Sequence, residues 1–453
     1  MRCPRWSTSA PTLLALAFIL VTCPFVDCIA SLSERALPPP SQDPFYQPPA
    51  GFENTQPGAV LRQRPIAAGF FQLIPNPVEA HQLLYRTTAV NGSAIATVTT
   101  IFKPLLAKQD RFISLHTAYD TACTVCNPSY LYRLGSDPQN DTTTSIELLL
   151  AQAYVASGYI VASPDYEGPD AAFNAGRLEG MGVLDGMRAV INFRNTLKLS
   201  DAPLIVGTGY SGGATATGWA ASLQQSYAPE LTIKGWVMGG TPANLTGNLL
   251  YIDKTAYSGY IPATFDGFLK PSAYRAQLEP FFRNILTPYG QQVLDYTNSH
   301  CSSEFKANFA NKSVLTTDFQ SLGPGLLSGT PLRASLDQNL MGARRNETPT
   351  SPVLLYHAEH DEIVPYANAS TLADNWCSQD ASVQFTTYSV GGHVTTEVAG
   401  LPAAYSFITA AFSGAVKVGC SKTTNAAINP ITSLGNIPLT ILLKLNNLAK
   451  MAI

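Results

Sequence analysis

The sequence predicts an α/β protein: a mainly parallel sheet with helices on both faces and an inserted, mostly helical cap. From about residue 97 onward, short apolar runs rich in β-branched residues alternate with longer helix-patterned stretches, the arrangement in which crossover helices join parallel strands. One run, Leu204 to Val206, leads through Gly209-Tyr210-Ser211-Gly212-Gly213 into a small-residue helical stretch from Ala214 to Leu223. Between Thr241 and Ser351 the alternation stops, and aromatic and turn residues take over.

In chain order, residues 1–30 have the form of a secretory signal peptide: Arg2 and Arg5, the apolar run Leu13 to Val21, then Cys28-Ile29-Ala30 before Ser31. That run is too short to span a bilayer, so no stable membrane anchor is expected. Residues 31–96 are an N-terminal extended segment in which Leu37 to Pro65, rich in proline and turn residues, is expected to wrap the domain surface. The core is assigned to 97–240 and 352–425. Its expected elements are a strand at Phe112 to Ala118, a helix at Ile146 to Ala156, a strand at Tyr159 to Ser163 and a helix at Met181 to Phe193. The Leu204 strand and its helix follow, and then strands at Ile233 to Met238, Val353 to His357 and Val383 to Val390. Residues 241–351 read as a cap inserted between the last two parts of the sheet, with aromatics that include Tyr251, Tyr260, Phe265, Phe281 and Phe282. A peripheral subdomain without substrate contact is the alternative. Residues 426–453 form a tail whose apolar run, Ile437 to Leu445, could be a flap over the site, a packed strand or a lipid-contacting segment. Lys444 and Asn446-Asn447 argue against a removed anchor signal.

The strand, turn and helix around Ser211 make a nucleophile elbow. The turn strains the central serine, and its glycines remove side chains that would collide with the neighbouring strand and helix. Ser211 is the candidate nucleophile, with the amide of Gly212 and the helix N-terminus aimed where an oxyanion would form. On this architecture an acid and then a histidine follow the serine. Asp361, in the loop after the strand at Val353 to His357, is the candidate acid, favoured over Glu359 and Glu362 by its place before the Ile363-Val364-Pro365 turn. His393, after Gly391-Gly392, is the candidate base, expected on a flexible loop that lets the imidazole swing over the serine. There it takes the proton of Ser211 during attack on a carbonyl carbon, while Asp361 fixes the tautomer and stabilises the imidazolium. His357, His360 and Asp361 are metal-ligand types. A strand-to-loop segment sends alternate side chains to opposite faces, however, and no other His or Cys cluster completes a shell, so no metal is expected and His357 and His360 read as packing residues around the acid.

Charged residues make up 13% of the 453, with a net charge of −3, against roughly 25% charged in average proteins; no basic stripe points to nucleic acid. Six sequons, at Asn91, Asn140, Asn244, Asn311, Asn346 and Asn368, are candidate glycosylation sites in a secreted product. Cleavage after Ala30 removes Cys3, Cys23 and Cys28 and leaves Cys123, Cys126, Cys301, Cys377 and Cys420, an odd number. Cys123-Thr124-Val125-Cys126 has the spacing of a redox pair or half a zinc site, and the secreted context favours structural disulfides.

With these residues assembled, the chain resembles the fungal secretory lipase family, the lipase A-like branch of the α/β-hydrolases. The resemblance is carried by Asp43-Pro44-Phe45-Tyr46, Tyr119-Asp120, Cys126-Asn127-Pro128-Ser129-Tyr130, Ser163 to Gly168, Gly209 to Ala214, Ser226 to Leu231, Gly239 to Pro242 and Asp361 to Tyr366. It implies the α/β-hydrolase fold and puts Ser211, Asp361 and His393 at the family's nucleophile, acid and base positions. It also implies that Asp120 joins Gly212 in the oxyanion hole, through its backbone amide or a protonated carboxyl, because an ionised carboxylate would repel the oxyanion. Disulfides Cys126–Cys301 and Cys377–Cys420 are implied as well, with Cys123 left as the odd thiol. Gly391-Gly392 is a departure, since family members can carry bulkier residues there. The expectation is a secreted serine hydrolase of carboxylic esters, a triacylglycerol lipase acting on lipid or another ester at an oil–water interface, with no metal or organic cofactor. A narrow-specificity carboxylesterase or deacetylase of a secondary metabolite fits the same triad. A non-catalytic surface or adhesion protein on a hydrolase scaffold is the alternative of a different class.

Overall fold

Apolar runs become strands where successive side chains can be buried on opposite faces. In β4 (Arg111–His116), Phe112 packs to one side and Ile113 to the other, as the two-residue period of a strand requires. In this computed structural model the described residues are 37–137, 139 and 142–426. The expected signal peptide, residues 427–453 of the tail and the sequon residue Asn140 lie outside them. Before β4 come β1 (Val60–Phe70), β2 (Ile74–Thr88) and β3 (Ala94–Lys103); after it come β5 (Ile160–Pro164), β6 (Leu204–Tyr210), β7 (Ile233–Gly239), β8 (Val353–Ala358), β9 (Val383–Tyr388) and β10 (Ser421–Asn425). They form one sheet in the order β1-β2-β3-β5-β4-β6-β7-β8-β9-β10. The strands from β5 to β10 in that order run parallel, and β1, β2 and β3 are antiparallel at one edge.

The segment expected to wrap the surface therefore does so only up to residue 59. From Val60 it enters the sheet, and β1, with Pro65 in it, lies at the edge. An edge strand needs ladder donors on one side only and so tolerates proline.

Among the described residues, and leaving aside two four-residue helices at Pro128–Leu131 and Arg194–Leu197, the α-helices are α1 (Thr143–Ala156), α2 (Gly176–Asn192) and α3 (Gly212–Tyr227) in the first part of the core. α4 (Leu245–Ile252), α5 (Tyr260–Phe268), α6 (Arg275–Ile285), α7 (Pro288–Thr297), α8 (Ser302–Asn308) and α9 (Pro331–Gln338) lie between β7 and β8, and α10 (Tyr366–Ser378) and α11 (His393–Ser413) come after β8. On one face of the sheet, Phe112, Ile160, Ile205 and Leu355 pack with Met187 of α2, Trp219 of α3 and Trp376 of α10. On the other, Ile113, Val206 and Val237 pack with Tyr154 of α1 and Phe407 of α11. Helices α4 to α9 share a separate apolar cluster that includes Phe265, Phe282 and Phe319.

The parallel register brings the carboxyl ends of β4, β6, β7 and β8 level: His116 pairs with Gly209, Tyr210 with Gly239 and Gly239 with Tyr356. In open α/β sheets ligands bind beyond these ends. The loops that leave them carry Asp120, Ser211 and Asp361.

Candidate active site

Strand β6 turns into α3 at Ser211, which has φ 52° and ψ −122°, a region that non-glycine residues rarely occupy and that costs on the order of 1–3 kcal/mol. Crowding explains why glycines flank it. A Cβ at Gly209 would stand 2.3 Å from the carbonyl oxygen of Gly213, and one at Gly213 would stand 1.8 Å from that of His116. The strained geometry is held by the Ser211 N–H, which donates to the Gly239 carbonyl at 2.9 Å, and by the start of α3, where the Ala214 and Thr215 amides donate to the Ser211 carbonyl.

The three residues expected to act together meet here. His393 Nε2 lies 2.8 Å from Ser211 Oγ, and Nδ1 lies 2.7 Å from Asp361 Oδ2. A carboxylate only accepts, so the proton of the neutral ring is on Nδ1 and Nε2 is free to accept from the serine hydroxyl. Asp361 is fixed in turn: Oδ1 accepts the amides of Ile363 at 2.9 Å and Val364 at 2.8 Å. Oδ2 also lies 3.2 Å from Nε2 of His357, which is fully buried and shares its proton with the Val364 carbonyl at 2.9 Å. Burial works to raise the Asp361 carboxyl; the charge of His393 and the hydrogen bonds from His357 and His393 override it and hold the group well below the usual carboxylate range. Burial works to lower His393, and the neighbouring Asp361 outweighs that, helped by Glu362 and Glu397, so its affinity for a proton is raised. His357 thus packs against the acid, whereas His360 is exposed.

His393 is not on a flexible loop. It is the first residue of α11, with Gly392 as the N-cap and the Thr395 hydroxyl accepting the Gly392 N–H at 2.8 Å. Its carbonyl accepts from the Tyr210 hydroxyl at 2.6 Å, and its ring lies 5.0 Å from that of Tyr210. The imidazole is built into the scaffold rather than swung over it.

Asp120 follows β4 with φ 45°, and its carboxyl rests on Gly212, where a Cβ would stand 1.8 Å from Oδ1. Both residues line a cavity of about 120 Å³ that also contains Ser211 and His393. Carboxyls of Glu147 and Glu397 lie in its wall, and neither was anticipated from the sequence. On the cap side the cavity is lined by Leu245, Leu249 and Ile252 of α4, Tyr260 and Thr264 of α5 and Lys306 of α8. The Tyr251 hydroxyl of α4 donates to the Asp361 carbonyl at 2.8 Å. Phe281 and Phe282, by contrast, face the cap's own core, with Phe282 5.6 Å from Phe265. A larger cleft of about 1180 Å³ lies between the N-terminal segment and α6 and α7, and none of Ser211, Asp361 or His393 lines it.

Cys126 is bonded to Cys301 and Cys377 to Cys420, and Cys123 is a free, buried thiol. The first bond ties the loop after β4 to the start of α8, and the second anchors the chain entering β10 to α10. Of the sequons, Asn91, Asn311 and Asn346 are exposed. Asn368 does not suit a glycan: it is 8% exposed, and its Nδ2 donates to the Asn244 carbonyl at 3.2 Å. Asn244 is half-buried and engaged as the cap of α4, with Oδ1 accepting the Gly247 N–H at 3.0 Å.

The sheet, the strained serine at the β6–α3 turn and the His393–Asp361 pair define an α/β-hydrolase of the serine type. The secretory lipase family model matches residues 133–420. A secreted triacylglycerol lipase of Malassezia furfur is 41% identical over 402 residues, covering 87% of this chain and 81% of the relative. A second from the same organism is 37% identical over 404 residues, covering 88% and 85%. Among solved structures, Candida antarctica lipase A in its closed state is similar at a TM-score of 0.81 and 32% identity, covering 91% of this chain and 96% of that one. The chain belongs to the secretory lipase family, a family of secreted carboxylic ester hydrolases.

Proposed function

We propose that the protein is a triacylglycerol lipase in which Ser211 is the nucleophile, His393 the general base and Asp361 the acid that orients it. The observation that carries this reading is the unbroken chain from Ser211 Oγ through both imidazole nitrogens to a carboxylate whose other oxygen is already occupied by two amides. As Oγ attacks an ester carbonyl, Nε2 takes its proton, and the imidazolium is stabilised by Asp361. The amides of Gly212 and Asp120 hold the oxyanion. Collapse expels the alcohol, which receives the proton from His393, and leaves an acyl-serine; water activated by the same nitrogen releases the fatty acid. Triacylglycerol as substrate is supported by the relatives, which are named for it.

Residues 241–351 serve as the cap in this reading. The cavity of about 120 Å³ is well below the roughly 300–1,000 Å³ of sites that enclose a drug-sized ligand, so a long acyl chain requires the cap to move, and an oil–water interface favours the apolar surface that movement exposes. A short acyl group needs no such movement, and this favours the narrow esterase as the second reading. Hydrolysis rates for p-nitrophenyl esters from acetate to palmitate, alongside emulsified triolein, separate the two. A lipase works on triolein and on the long esters; activity confined to acetate and butyrate would establish the esterase.

A further inference from the structure

The histidine is approached from its main-chain side by a carboxylate outside the serine, histidine and aspartate set. Glu362 follows Asp361 in the loop after β8, and its Oε2 accepts the backbone N–H of His393 at 2.9 Å. It lies so close to Gly392 that a Cβ there would stand 2.2 Å from the same oxygen. The His393 N–H is one of the donors that a helix start leaves without an intrahelical partner. Together these donors give the start of the 21-residue α11 a positive partial charge, and an imidazole at a helix N-terminus is thereby biased towards its neutral form. A general base must become an imidazolium in the transition state, so this placement works against catalysis unless something offsets it.

We propose that Glu362 is a positioning residue for the hydrolysis: it pins the first amide of α11 and supplies the negative charge that cancels the helix's positive end. His393 can then take the serine proton from within a helix. The proposal rests on the Ser211, His393 and Asp361 reading. The other groups that face His393 are Asp361, which bonds Nδ1, the Tyr210 hydroxyl on its carbonyl, and Glu397 one turn along α11. Asp120, Glu147 of α1 and Lys306 of α8 line the same cavity. On the cap side Glu362 acts on Tyr251 and Tyr257.

Glu362→Gln keeps an oxygen to accept the His393 amide and removes only the charge; Glu362→Ala removes both. Turnover of p-nitrophenyl butyrate is measured from pH 4 to pH 10 at low ionic strength, with active enzyme counted by fluorophosphonate titration of Ser211. Losing a negative charge disfavours the imidazolium, so the acid limb of kcat/KM should move to lower pH, by about half a unit to one unit, while the kcat plateau falls about 10-fold and KM holds. The alanine variant should fall further. A glutamine variant that titrates normally and keeps both the wild-type plateau and the wild-type acid limb, or whose limb moves to higher pH, overturns the role of Glu362 and leaves the triad standing. A wild-type enzyme whose Ser211 is not labelled overturns the underlying reading instead. A role in folding alone would lower the melting temperature without moving the limb.

Discussion

Gly212→Ala is the substitution whose effect follows most directly from the geometry. A Cβ at position 212 would stand 1.8 Å from Asp120 Oδ1 and 2.9 Å from its Cγ, and contacts under 3.0 Å are essentially never made by real Cβ atoms. The Asp120 carboxyl must retreat; its Oδ1 is already buried, so the side chain has little room to swing aside, and the displacement is expected to reach the loop that carries it, already at φ 45°. A misplacement of about 1 Å in a catalytic group costs on the order of 100-fold, and loss of one oxyanion donor costs about 10²–10³ in kcat, or ~2.7–4 kcal/mol. The two routes agree, so kcat should fall by about 10²–10³. KM for p-nitrophenyl butyrate should stay within a few-fold, because the contact matters only once charge develops on the carbonyl oxygen. Alanine is a better helix former than glycine, so the melting temperature should not fall in proportion. Steady-state kinetics normalised to titrated Ser211 provide the assay. In an Asp120→Ala background the clash is gone, and Gly212→Ala should cost much less than it does alone. An unchanged kcat in the single variant would refute the placement of the oxyanion site between these two residues.

Burial raises Asp165 to about 7, lifts Glu397 to about 7, and pushes Glu147, Glu167 and Glu179 well above the carboxylate range. Such groups hold protons in the folded state that the unfolded chain releases, so their stabilising contribution is complete below about pH 4 and is lost as pH rises through about 7. Asp361 has the opposite sign, and its contribution is lost only in strong acid. The melting temperature at constant ionic strength should therefore be higher at pH 5 than at pH 8; a rise over that range would mean that these carboxyls are ionised and solvated. In the cap, Phe282→Ala should destabilise the protein by about 3–5 kcal/mol without altering chain-length preference, since Phe282 packs in the cap's own core. Leu249→Ala, at the cavity wall, should shift the preference towards longer p-nitrophenyl esters. If the two variants behave alike in a chain-length series, α4 does not form the acyl wall.

The elbow at Ser211 was legible because it joins a strand signal, a glycine turn and a helix signal in five residues, and the placing of Asp361 and His393 beside it followed from chain order. The setting of His393 was not. Gly391-Gly392 reads as a loop, and only the bond from the Gly392 amide to Thr395, with Glu362 on the next amide, makes it a helix start. β1 and β2 were hidden because Pro65, Pro75 and Pro77 and several charged residues break the apolar pattern, which an edge pair can tolerate. Asp120 and the cysteine pairing came from family resemblance alone; nothing in their local sequence encodes a contact across the sheet or between core and cap. Asn368 shows the limit of a short motif, because its sequon falls where α10 packs against the cap of α4. His357 and His360 were both expected to pack around Asp361; His357, inside the strand, does so, whereas His360 lies past its end and is exposed.

Mass mapping of the protein after treatment with a fluorophosphonate tests the central claim most directly. The account predicts one adduct, on Ser211, appearing in step with the loss of ester hydrolysis and formed orders of magnitude more slowly in His393→Ala. An adduct on another residue, or hydrolysis that survives full modification of Ser211, would contradict it.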